Sequence, residues 1–112
     1  MILYGIPTCD TCRKACAALA AAGHAVTFRD IRAEPLDSDE WAEFLAAFGD
    51  ALINRTSATW RGLDSWARAR ALAGAGAELL AAHPALMKRP VIRAGGRLLL
   101  GWTAEVRAAV LK

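Results

Sequence analysis

Apolar positions along the chain alternate between two periods. Residues 2–6 form a short apolar run closed by Pro7, the pattern of a buried strand. From residue 10 to 22 the period lengthens. Cys12, Ala15, Cys16 and Leu19 fall at i, i+3, i+4 and i+7, one apolar helical stripe, and Gly23 stands where a helix would stop. Residues 25–30, with Val26, Thr27 and Phe28, predict a second strand, parallel to the first because only a helix connects them. Asp37 and Glu40 then have capping-box spacing, with Leu36 and Trp41 at the staple positions. Trp41, Phe44, Leu45 and Phe48 give the following helix a buried face that ends at Gly49. Residues 50–61 read as a polar loop, Asp64 as the start of another helix, and residues 78–83 as a further helix broken by Pro84. Residues 91–93 and 97–100 predict two strands joined by Ala94-Gly95-Gly96. Thr103 caps a last helix in which Val106, Ala109 and Val110 share a face.

The order is β-α-β, a helical insert over about residues 36–87, then β-β-α. This is the thioredoxin-like α/β arrangement, with a mixed sheet built from the two flanking units. At 112 residues the chain is expected to be one domain, 1–112. Its apolar fraction of 55% predicts a packed core, but alanine supplies much of it, so the large side chains must carry the burial. Trp41 and Trp66 are expected in that core.

Charge and cysteine usage narrow the function. The net charge of +3 comes from arginines and lysines interleaved with acids, without a basic block, so nucleic-acid binding is not expected. No apolar stretch is long enough to span a bilayer, and the first residues read as a strand and not a leader, so a cytoplasmic location is expected. There disulfide frameworks are rare, and three cysteines near one end call for chemistry or simple burial. Metal binding is not expected, because Cys16, His24 and His83 form no second paired motif beside Cys9 and Cys12.

Cys9 follows a strand and precedes a helix. The first turn of a helix offers unpaired N–H groups and the positive end of the dipole, which favour a thiolate. A free thiol, with a pKa of about 8.5, is only about 3% ionised at pH 7, so lowering that value raises reactivity. Cys9 is therefore the candidate nucleophile. Cys12 completes a C-x-x-C and reads equally as a resolving or as a merely buried cysteine. Asp10 opposes ionisation of Cys9, while Arg13 and Lys14 offset it. Cys16, further along the stripe, reads as core. In this fold the loop ahead of the third strand lies beside the Cys9 turn. Arg89 would there offer a fork of donors to an oxyanion or a glutathione carboxylate, and Arg89-Pro90 is a candidate cis bond. Thr8, Thr11 and the helix N–H groups would receive negative charge.

Tyr4-Gly5-Ile6-Pro7-Thr8-Cys9-Asp10-Thr11, Asp30-Ile31-Arg32, Leu52-Ile53-Asn54-Arg55, Thr59-Trp60-Arg61, Lys88-Arg89-Pro90 and Leu99-Leu100-Gly101-Trp102, in this order, resemble the thioredoxin-fold arsenate reductase family and its YffB-like branch. The resemblance implies a cis proline at Pro90, a Cys9 that attacks an oxyanion, and Arg55 and Arg89 as its anion holders. It further implies glutathione as reductant, glutaredoxin as partner and no bound cofactor. The chain departs from the reductases at Gly5, where they have histidine, and at Cys12, where they have serine. A third arginine is missing near Leu100-Gly101-Trp102. The Cys9/Cys12 pair resembles instead the Spx-type regulators, which implies an alternative: a redox sensor that binds RNA polymerase.

Overall fold

The computed structural model describes residues 1–70 and 76–111. Four short strands form one sheet in the order β2-β1-β3-β4. They are β1 (Ile2–Gly5), β2 (Thr27–Asp30), β3 (Val91–Ala94) and β4 (Arg97–Leu100). β1 runs parallel to β2 and antiparallel to β3, and β3 runs antiparallel to β4. The sheet is thus the mixed, thioredoxin-like sheet that the pattern predicts. The chain divides into two compact units, Met1–Glu34 with Arg89–Lys112, and Pro35–Lys88.

The first unit holds the sheet with α1 (Asp10–Ala21) and α6 (Ala104–Val110). Strand side chains alternate, so Leu3 and Ile92 point to one face. There they meet Cys12, Ala15 and Leu19 of α1 and Val106 and Val110 of α6 in a single cluster. Ala109 lies on the exposed side of α6 and not on the expected buried face. Tyr4, on the other face, is buried, and its hydroxyl accepts from Arg93 Nε at 3.3 Å. The β3–β4 hairpin turns through Gly95 and Gly96, with φ of 56° and 82°. Those left-handed values suit glycine and match the twist of paired strands.

Among its described residues the second unit holds short helices and turns, with one bridge between Ile53 and Met87. Its first helix, α2 (Ser38–Phe48), has the predicted capping box. The Asp37 carboxylate accepts from Glu40 N–H at 2.8 Å, and Glu40 Oε1 accepts from Asp37 N–H at 3.1 Å. Trp41 and Phe44 stack edge to face, with ring centroids 6.4 Å apart. α3 (Ala58–Arg61), α4 (Ser65–Arg70) and α5 (Gly76–Ala82) follow. The polar loop expected over residues 50–61 is instead a 3-10 turn, Gly49–Leu52, and the short helix α3. Ser57 makes that helix possible: its hydroxyl accepts from Trp60 N–H at 3.1 Å. Trp66 is not in the core but 71% exposed. Part of the alanine-rich stretch read as helix, residues 71–75, lies outside the described residues.

Candidate active site in the first unit

β1 is an interior strand, and the chain leaves it in a tight turn. The Cys9 N–H donates to the Ile6 carbonyl at 3.0 Å. Cys9 itself has extended backbone, φ −82° and ψ 117°, and stands at the N-cap of α1, where its carbonyl accepts from Arg13 N–H at 3.1 Å. Its sulfur is thereby held half-buried at the positive end of a twelve-residue helix.

The sheet register supplies the next component. Antiparallel pairing sets Tyr4 opposite Val91, and one step further sets Gly5 at the level of Pro90. Residues 89 and 90 therefore sit at the end of the sheet where α1 begins. The Arg89-Pro90 bond is cis. Pro90 is buried, and its carbonyl accepts from Gly101 N–H at 2.7 Å, which ties the segment to the turn after β4. Arg89 reaches the Cys9 sulfur with both a hydrogen bond and its charge.

The two cysteines respond oppositely to their surroundings. Burial acts on Cys9 against ionisation, and is its largest single influence. The Cys12 backbone N–H, the Arg89 side chain, the Cys12 thiol and the Arg89 charge together outweigh it, so the Cys9 thiol lies below its ordinary range. Cys12 is fully buried, and burial pushes its thiol up to about 12, with the neighbouring Cys9 sulfur adding to the rise and the Ile6 backbone N–H opposing it. The pair thus sets a Cys9 that ionises more readily than an ordinary thiol above a Cys12 that is protonated at neutral pH. All three cysteines are free.

Asp10 forms an ion pair with Arg13 on the exposed side of α1, which balances the carboxylate next to Cys9. Thr8 and Thr11 are exposed on either side of Cys9. Arg55 belongs to the second unit, where it is exposed beside Asn54, whose side chain accepts from Thr56 N–H at 3.2 Å. Cys16, expected in the core, lies at its edge. It is half-buried and lines an apolar cavity of about 350 Å³ with Pro7, Arg13 and Phe28, and burial raises its thiol. Among the described residues no group of three His, Cys, Asp or Glu is placed to hold a metal ion, and no helix is long and apolar enough to cross a membrane.

Gly5 is the site residue that the periodicity does not reveal. It is buried, and a Cβ built on it would fall within 3.0 Å of Cys12 Sγ and 3.3 Å from Cys12 Cβ. The available signal was a glycine inside an apolar strand run, which marks close approach of another group.

With this geometry in place, the chain matches the model of the ArsC family over residues 4–110. It is 36% identical over 104 residues to an uncharacterised protein of Haemophilus influenzae, covering 92% of this chain and 91% of that one. Among solved structures it is similar to a YffB protein, with 36% identity, a TM-score of 0.91, and coverage of 99% and 98% of the two chains. An arsenate reductase related protein from Brucella melitensis is 35% identical with a TM-score of 0.78, over 99% of this chain and 93% of that one.

Proposed function

Because the chain belongs to the ArsC family, we propose that it is a thiol-dependent reductase in which the Cys9 thiolate is the nucleophile and glutathione the electron donor. One observation carries this reading: Cys9 stands at the N-cap of α1, at the end of the sheet where the register places Arg89, whose charge favours its ionised form.

The substrate is a mixed disulfide of glutathione or a small oxyanion. With a disulfide R–S–S–G, the Cys9 thiolate attacks the glutathione sulfur. The S–S bond breaks, RS⁻ leaves and takes a proton from water, and Cys9 carries glutathione as a mixed disulfide. A second glutathione thiolate attacks that glutathione sulfur, forms oxidised glutathione and returns Cys9 as thiolate. The net change is R–S–S–G plus GSH to RSH plus GSSG, and glutaredoxin can stand in for the second thiol. Glutathione resolves the adduct in this scheme because Cys12, pushed up to about 12, holds its proton at neutral pH. Arg89, Thr8 and Thr11, all in the first unit, supply donors to the anionic substrate, and Pro90 shapes its seat. The donor implies a reducing compartment, such as the cytoplasm. Arsenate belongs among the oxyanions to be tried, on the strength of the Brucella relative.

The test is reduction of a glutathionylated peptide, and of arsenate, by wild type and Cys9→Ser with glutathione and glutaredoxin. Wild type turns over at least one of them, and Cys9→Ser loses roughly 10³-fold or more. Turnover that survives Cys9→Ser contradicts the reading. So does an absence of turnover combined with capture of RNA polymerase only when the protein is oxidised.

A further inference from the structure

Gly5 and Cys12 come from different elements, and their packing leaves no freedom. Gly5 is the last residue of β1 and buried; Cys12 is in the first turn of α1 and fully buried. Space for a Cβ at Gly5 is already filled by the Cys12 sulfur, which would lie within 3.0 Å of it. Real Cβ atoms do not approach so closely, and the opposing atom is not the loose end of a flexible chain. Cys12 has one rotatable side-chain bond to its sulfur, and the residue is fully buried in the cluster with Leu3, Ala15 and Ile92. Glycine in a strand also costs conformational entropy and contributes no packing of its own. Position 5 therefore does something other than stabilise the strand.

We infer that Gly5 is a positioning residue: its missing side chain opens the pocket that seats the Cys12 sulfur, and there the Cys12 thiol donates its hydrogen to the Cys9 sulfur. The Ile6 backbone and the Cys9 sulfur both act on Cys12 in that seat. A methyl group at position 5 displaces the sulfur and breaks its hydrogen bond to Cys9. The thiolate then loses one of its donors without any change at Cys9, Arg89 or the helix start. Gly5 and Cys12 thus work as one unit, and neither serves the nucleophile without the other. This inference rests on the reading of Cys9 as the nucleophile.

The test measures the pH dependence of Cys9 alkylation in reduced wild type, Gly5→Ala, Cys12→Ala, Cys12→Ser and the double variant Gly5→Ala/Cys12→Ala. Cys12→Ala slows alkylation at pH 6.5 by roughly three- to tenfold, the scale of one lost hydrogen bond from a weak S–H donor. Gly5→Ala does the same, although the thiol is still present. The double variant reacts no more slowly than Cys12→Ala, because the added methyl then fills the space the sulfur has left. Cys12→Ser, which keeps a donor, retains most of the wild-type rate. Thermal melts accompany each profile. A Gly5→Ala protein that melts early yet keeps the wild-type profile overturns the inference, as do additive losses in the double variant. If Gly5→Ala does not fold, the double variant decides: its failure to fold as well contradicts the shared space. A wild-type Cys9 no more reactive than a free thiol overturns the nucleophile reading itself, which separates that failure from one confined to Gly5.

Discussion

The tip and the floor of the first turn of α1 carry the same functional group, three residues apart, with opposite properties. At the tip, Cys9 is half-buried and meets Arg89 and a backbone N–H. On the floor, Cys12 is fully buried among Leu3, Ala15 and Ile92, with no cation against it strong enough to offset desolvation. The difference teaches that a C-x-x-C spacing does not itself make a redox couple. The donors that the sheet brings to each sulfur decide which one ionises, and here the cis Arg89-Pro90 segment serves the outer one.

Stability against pH separates the two sulfurs most strongly. Folding keeps Cys12 protonated up to about pH 12, while the unfolded chain ionises it above about 8.5. Its contribution is complete below about pH 8.5 and is lost as the pH rises toward 12, at about 1.4 kcal/mol per pH unit. Cys9, lowered in the fold, has the opposite sign: its contribution is complete above about pH 8.5 and is lost as the pH falls through the folded value. Urea unfolding under reductant between pH 8.5 and 10.5 shows wild type losing stability faster than Cys12→Ala. Parallel curves would contradict the protonated floor.

A smaller effect sharpens the role of the tip. Arg89→Ala slows alkylation of Cys9 at pH 6.5 by roughly three- to tenfold, and Arg89→Lys, which keeps the charge but not the planar fork, by less. An unchanged rate in Arg89→Ala would remove the arginine from the account. The smallest change concerns the second unit, where the local cap is independent of the cysteines. Asp37→Ala lowers stability by about 1 kcal/mol and leaves the alkylation profile as it was. A shifted profile in that variant would mean that the tip depends on more than the first unit's own contacts.

What could be read along the chain follows the same division. Sequence-local features were legible: the Asp37/Glu40 box, the Gly95-Gly96 turn, the α1 stripe and the position of Cys9 between strand and helix. Depth was not. Cys12 and Cys16 lie on one stripe, yet Cys12 is sealed by β1 and β3 while Cys16 reaches the rim of a cavity. A helical period gives direction but not the distance to the sheet. The fit of Gly5 to Cys12 is a contact between elements, and only the register of β1 and α1 displays it. Trp66 misled because the apolarity of a single side chain does not say which side of its helix meets the core, and it stands exposed. Ser57 as the cap of α3 was obscured by the polar cluster around it.

The most direct measurement is alkylation of the reduced protein by iodoacetamide across pH 5 to 10, with mass spectrometry to locate the label. The account predicts that Cys9 is labelled first at every pH below 8, along a curve whose midpoint lies below that of a free thiol, about 8.5, while Cys12 stays unlabelled until the protein unfolds. Equal labelling of Cys9 and a free thiol across that range, or Cys12 reacting first, would contradict it.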